Sequence, residues 1–233
     1  MTQNSQKREV ETASSLNDRL GLSFSNFSLL TRALTHRSYA NEHQDGSEDN
    51  ERLEYLGDAV INLIAAEWAY RHFPELPEGD LTKIRSHLVR NENLAKISQQ
   101  INLGGALRLG RGEKITGGYH RESVLGSAFE ALLGAIYLDS NFEKVKNFIL
   151  PFIEPYKETI MEVLSDPKST FQEQVQALKL GPIAYHVVSS TGPDHAKMYE
   201  VEVSVNGKVM GRGSGTSKSN AEREAARDAL KKI

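Results

Sequence analysis

Three acids, Glu51, Glu54 and Asp58, carry the strongest chemical signal in the chain. At spacings i, i+3 and i+7 they fall within about 60° of arc on an α-helix, a single stripe of one face. Leu53, Leu56, Val60, Ile61, Leu63, Ile64 and Trp68 surround that stripe with apolar surface, and a charge that faces a core is costly unless it is partnered. Two partners are open: Arg52 and other cations along an ordinary amphipathic helix, or a bound metal ion. A fourth acid, on a second helix, bears on the choice. Glu130 lies in the middle of residues 122–139, a segment so apolar around its circumference that burial is expected. An acid there needs a cation or a raised pKa. If the two helices pack together, Glu54, Asp58 and Glu130 converge, and a hard divalent ion with oxygen ligands reconciles their repulsion.

The elements that must position these groups follow from periodicity and punctuation. The first acidic helix should occupy residues 50–73 and stop before Pro74. Gly57 inside it costs roughly 1 kcal/mol against Ala, which argues for close approach of another backbone. Upstream, residues 16–22 and 27–34 read as short helices, the second capped by Ser28 or Asn26, and residues 41–50 as a polar loop. Downstream, residues 74–79 form a loop, Asp80 caps a helix over 81–89, and Asn91 caps one over 92–101. Residues 103–118 hold six glycines with Arg108, Arg111 and Lys114, and read either as a flexible loop or as a phosphate-contacting segment. Residues 142–164 give one or two closing helices around Pro151 and Pro155. No strand pattern precedes residue 180, so residues 16–164 read as an all-α domain.

Residues 165–169 read as a polar linker with Pro167 as helix breaker, and beyond it the periodicity changes. Residues 170–180 are helical in pattern, 184–190 alternate, and 199–205 alternate strictly. Asn206-Gly207 is a two-residue hairpin signal. A third strand over 209–211 and an alanine-rich helix over 219–230 complete an α-β-β-β-α order across residues 170–233.

Composition narrows the class. The 233 residues are 39% hydrophobic, sufficient for a real core, and include no cysteine. That excludes disulfides and thiolate metal sites and fits a reducing, cytoplasmic setting. No apolar run has transmembrane length, and residues 1–14 lack a signal-peptide core, so residues 1–15 read as a disordered tail. The net charge of −3 is uneven: residues 167–233 carry 10 Lys+Arg against 7 Asp+Glu, and the remainder 18 against 24. An acidic body with a basic partner domain suits a metal-using part joined to an anion-binding part.

Residues 50–60 (NERLEYLGDAV) and residues 34–42, with His36-Arg37-Ser38 among them, resemble the bacterial ribonuclease III family, and the resemblance runs on to residue 233. Tyr55 stands where Phe is common. The resemblance implies an endoribonuclease that cuts double-stranded RNA by Mg²⁺-assisted phosphodiester hydrolysis, with Mn²⁺ as a substitute. It leaves 5′-phosphate and 3′-hydroxyl ends and processes ribosomal and other structured RNA precursors. It further implies Glu54, Asp58 and Glu130 as metal ligands, with Asp58 and Glu130 catalytic, Asp58 orienting or deprotonating the attacking water. Glu51 and Glu78 are nearby acids of a structural kind, and His36 is a structural hydrogen-bonding residue rather than a base.

A homodimer is implied too, with Leu53, Leu56 and Val60 as interface candidates, although core packing explains them equally well. No membrane and no small-molecule cofactor are expected. Residues 170–233 are similar to a double-stranded-RNA-binding domain, which carries over Gln172, Glu173 and Gln176 to one minor groove and Pro193, Asp194 and His195 to a second. Ser217 and Lys218, with Arg223 in reach, fall to the phosphates between. The chain departs from the family twice. Ser127 stands where an acid is usual, and Ser219 where a second lysine is usual, so weaker metal binding and one weaker phosphate contact are expected. Two other readings follow: a non-catalytic duplex-RNA binder on a degenerate nuclease domain, and a helical metal hydrolase acting on small phosphorylated substrates.

Overall fold

The computed structural model describes residues 11–43, 45–164, 166–192 and 197–233. The chain divides into two units, Met1–Ile160 and Met161–Ile233. The first is helical: α1 Ala13–Leu20, α2 Phe27–Ala33, α3 Arg37–Glu42, α4 Glu51–His72, α5 Glu78–Leu88, α6 Asn91–Gln100, α7 Arg111–Ile115, α8 Glu122–Asp139 and α9 Phe142–Ile153. Helix α10, Tyr156–Leu164, runs across the division. Its centre is α8, whose Leu125, Phe129, Leu132, Leu133 and Ile136 are buried. Helix α4 packs against it, and its Val60, Ile61, Ile64 and Trp68 are buried.

Small residues set how close those two helices come. A Cβ on Gly57 would fall on the carbonyl oxygen of Glu130, and one on Gly134 would fall on that of Leu53. Two backbones in direct contact explain the tolerated cost of glycine in mid-helix. Across the other side of α8, Ser98 Oγ donates to the Leu94 or Leu125 carbonyl, 2.9 Å from each.

The second unit has α11 Pro167–Ala177, strands β1 Ile183–Thr191, β2 Met198–Val205 and β3 Lys208–Gly215, and α12 Lys218–Leu230. The strands form an antiparallel sheet in the order β1-β2-β3. Val205 pairs with Lys208, and the turn between them, Asn206-Gly207, has φ of 49° and 79°. Two positive φ values make the primed turn whose twist suits a hairpin. Phe171 and Val175 of α11, Val201, Val203 and Val205 of β2, and Ala221, Ala225, Ala226 and Ala229 of α12 form the core.

Several boundaries differ from the sequence expectation. Helix α1 starts at Ala13 with Thr12 accepting from Ser15 N–H, so residues 13–15 are helical rather than tail. Pro167 begins α11 at its first turn, where a missing N–H costs nothing, so the linker expected over 165–169 is cut short. Ser165 lies outside the described residues. Helix α5 begins at Glu78 after Pro77, which puts Asp80 in its first turn rather than at its cap, and Arg90 rather than Asn91 precedes α6. Residues 103–118 are not a featureless loop. Leu103–Ala106 is a buried 3₁₀ turn, followed by α7 and a second 3₁₀ turn at Gly118–His120. Among the described residues no helix is long and apolar enough to cross a membrane.

Candidate active site

The glycine contact between α4 and α8 is what brings the acids together. Glu54 and Asp58 flank Gly57 on α4, and the backbone of Glu130 lies directly against that glycine. Glu54 and Glu130 are half-buried, and Asp58 is exposed. Burial first, then the charges of Asp58 and Glu54, push the Glu130 carboxyl up to about 7. Among the described residues, none of the three lies within ion-pair distance of a cation. The alternative of acids neutralised along an amphipathic helix is met only by Glu51, 3.3 Å from Arg37.

Two short hydrogen bonds hold the acids in place. Ser127 Oγ donates to Glu54 Oε1 at 2.9 Å, and Asn62 Nδ2 donates to Asp58 Oδ1 at 2.9 Å. Ser127 thus shares the face of α8 with Glu130, as its i−3 spacing requires, and supplies a donor where a carboxylate would repel. Among the described residues no three acids or imidazoles are grouped tightly enough to cage a metal alone. The donor set is carboxylate oxygen, the kind of ligand a hard divalent cation takes.

A cleft of about 250 Å³ opens beside Glu54 and Ser127, with His36, Arg37, Asn50 and Ser123 in its walls. His36 caps α3, its Nδ1 accepting from Ser38 N–H at 3.2 Å, so the structural role expected for it is observed. Burial holds its imidazole below the usual histidine range, against the pull of Glu113. Asn50, Ser123 and the cleft itself escaped sequence reasoning, because their meeting depends on three elements far apart in the chain. Glu78 opens α5 and accepts from Thr82 Oγ1.

Other candidates are redistributed. Arg108 stacks on the Tyr39 ring, 4.2 Å from its centroid, and donates to Thr35 Oγ1, so it braces the fold. Arg111 and Lys114 are exposed. Leu53 and Val60 are 3% and 7% exposed and belong to the core of their own chain. The exposed large hydrophobic residues of α4 and α8 are instead Tyr55, Leu63, Tyr70, Tyr137 and Leu138.

In the second unit Gln172, Glu173 and Gln176 lie exposed on α11. Ser217 caps α12 by accepting from Asn220 N–H at 3.1 Å, and Lys218 is the exposed first residue of that helix. Arg223 lies 3.1 Å from Asp166. Pro193, Asp194 and His195 lie outside the described residues.

Comparison with known proteins identifies both units. The family model described as Ribonuclease-III-like matches residues 26–156, and that described as Double-stranded RNA binding motif matches residues 167–233. Ribonuclease 3 of Streptococcus gordonii is 49% identical over 217 residues, covering 92% of this chain and 94% of its own length. Ribonuclease 3 of Natranaerobius thermophilus is 43% identical over 230 residues, covering 97% and 98%. The crystal structure of the nuclease domain of ribonuclease III from Campylobacter jejuni superposes with a TM-score of 0.55 at 40% identity, covering 60% of this chain and 92% of that one. With a helical unit that gathers Glu54, Asp58 and Glu130 and a three-stranded unit matched by an RNA-binding motif, the chain belongs to the ribonuclease III family.

Proposed function

We propose that Glu54, Asp58 and Glu130 hold Mg²⁺, with Mn²⁺ as a substitute, and that these acids are where this endoribonuclease cuts double-stranded RNA. The observation that carries the reading is the meeting of three carboxylates, free of any cation among the described residues, with Glu130 pushed up to about 7 by burial and by the other two. Bound there, Mg²⁺ supplies Lewis-acid polarisation of the scissile phosphate and lowers the pKa of the attacking water.

The chain's own residues do the rest. Glu54, tethered by Ser127, and Glu130, pressed against it on the facing helix, would hold the ion as carboxylate ligands. Asp58, exposed and steadied by Asn62, orients the water and accepts its proton. In the second unit Gln172, Glu173 and Gln176 face a minor groove and Lys218 and Ser217 face phosphates, while Pro193, Asp194 and His195, which lie outside the described residues, are carried over from the family resemblance as contacts to a second minor groove. Recognition is of A-form shape rather than base sequence.

One such site cuts one strand, so cutting both strands calls for a homodimer. Exposed Tyr55, Leu63 and Leu138 supply an apolar surface for the second copy. A second crystal structure of the Campylobacter jejuni domain, 40% identical, is described for flexibility in a region involved in dimer formation. Cytoplasmic processing of ribosomal and other structured RNA precursors to 5′-phosphate and 3′-hydroxyl ends belongs to the same proposal.

The test is incubation with a long RNA duplex with and without Mg²⁺, against Glu130→Gln. Cleavage by the parent only in Mg²⁺, lost in the variant, is expected. Binding without cleavage would establish the degenerate-nuclease alternative. Competition by nucleotides as strong as by duplex RNA would favour a small-substrate hydrolase.

A further inference from the structure

The cleft beside the acids contains a directed donor that the mechanism leaves unused. His36 Nδ1 accepts from Ser38 N–H, which requires that nitrogen to be unprotonated. Ser38 Oγ accepts from Gly110 N–H at 2.9 Å and lies 2.8 Å from the same ring nitrogen. With Nδ1 accepting from Ser38 N–H, the neutral imidazole carries its proton on Nε2. That Nε2–H has no hydrogen-bond partner among the described residues, and the ring lines the cleft shared with Arg37, Asn50, Glu54, Ser123 and Ser127. Ser123 and Ser127, four residues apart on α8, stack their hydroxyls along one wall. Arg37 is 67% exposed at its side chain, and its 3.3 Å pair with Glu51 is a surface pair of the kind that gives way readily.

We propose that this cleft is a subsite for the sugar–phosphate backbone next to the scissile bond, with His36 Nε2–H and the Arg37 guanidinium as donors to phosphate oxygens. The inference rests on the reading of Glu54, Asp58 and Glu130 as the catalytic centre. Three features carry it. The cleft is continuous with Glu54 and Ser127, so a strand whose scissile phosphate lies over the acids runs its neighbouring nucleotide along these walls. Its donors are the Ser123 hydroxyl, the His36 imidazole and the Arg37 guanidinium once its surface pair with Glu51 opens, groups which suit phosphate and ribose and need no base edge. The imidazole is held in one tautomer before any ligand arrives, so little freedom is lost on binding. His36 is therefore a positioning residue for the substrate strand as well as a helix cap.

His36→Asn separates the two roles. An asparagine at the N-cap still accepts from Ser38 N–H, as the imidazole does, but leaves no donor at the Nε2 position. With the full chain and duplex RNA in Mg²⁺, the variant should melt within about 1 °C of the parent, because the cap is kept. Its kcat/KM should fall about ten- to a hundredfold, the worth of a hydrogen bond to a charged group.

Binding without turnover gives the second readout, in a Glu130→Gln background. Arg37→Gln should reduce the salt slope of duplex binding by about one, whereas His36→Asn should weaken binding and leave the slope unchanged, since a neutral donor releases no counterion. Parental kcat/KM and parental salt slope in both variants would overturn the subsite. If His36→Asn melts well below the parent, the exposed Arg37→Gln decides alone: a reduced slope supports the subsite and an unchanged slope refutes it. A parent chain that fails to cut in Mg²⁺ while both binding effects hold refutes the catalytic reading and leaves the subsite standing.

Discussion

Glu130→Gln is predicted to stabilise the nuclease unit in the absence of metal, by an amount that grows as pH rises above about 4.5 and is complete slightly above pH 7. The carboxyl is pushed from 4.5 to about 7 by burial, Asp58 and Glu54. At 1.36 kcal/mol per pH unit that interval corresponds to about 3 kcal/mol, and partial exposure reduces it to about 2 kcal/mol. Because the folded value lies above the unfolded one, the fold favours the protonated acid. Its contribution is fully present below pH 4.5 and is lost as pH rises through about 7. Glutamine keeps the shape and carries no charge at any pH. Parent and variant should therefore melt together near pH 4.5 in EDTA and separate with rising pH, the variant melting about 4–8 °C higher by pH 8. Thermal melts followed by circular dichroism across pH 4.5–8.5 measure this directly. Adding Mg²⁺ at pH 8 should raise the parent and leave the variant unmoved. A melting difference of the same size at every pH would refute the argument, because it would locate the effect in packing and not in charge.

Four further outcomes follow from the same geometry. Gly57→Ala drives a methyl into the Glu130 carbonyl, so urea unfolding should show a loss of about 3 kcal/mol, the upper end of overpacking costs, and cleavage should be lost with it. Ser127→Asp adds a charge beside Glu54 and should lower the Mg²⁺ concentration for half-maximal cleavage about tenfold, so superimposable Mg²⁺ titrations would sink that account. Lys218→Ala should weaken duplex binding evenly across sequences and reduce its salt slope by about one, and an unchanged slope removes Lys218 from the interface. Tyr55→Asp places a charge on an exposed apolar patch, so sedimentation should show a shift to monomer, with a parental profile ruling that surface out.

Much of the site could be read before any coordinates. The periodicity around Glu54 and Asp58, and the isolation of Glu130 in an apolar segment, pointed to two helices packed with their acids side by side. Gly57 announced the close approach because glycine in mid-helix is costly without a reason. Asn206-Gly207 declared its hairpin for an equally local reason, the need for two positive φ values. Other residues the sequence left open. Leu53 and Val60 suited an interface or a core equally well, and the structure puts them in the core, because an apolar side chain carries no information about which surface covers it. Arg108, in a segment that read as a loop or a phosphate contact, lies on Tyr39. Pro167 read as a breaker and proved to be the first residue of a helix. The cleft at His36 gave no signal, because its walls come from segments that meet only in three dimensions.

What the linear chain settled by itself was local: which stretches coil, where a hairpin turns, and which acids stand on which stripe, all governed by backbone preferences spanning a few residues. Folding decided the long-range matters, namely that Glu130 faces Glu54 and Asp58, that Ser127 tethers Glu54, and that one edge of His36 is left open to a cleft. Those depend on Gly57 and Gly134 letting two helices touch backbone to backbone, a distance that no pattern of neighbouring residues encodes.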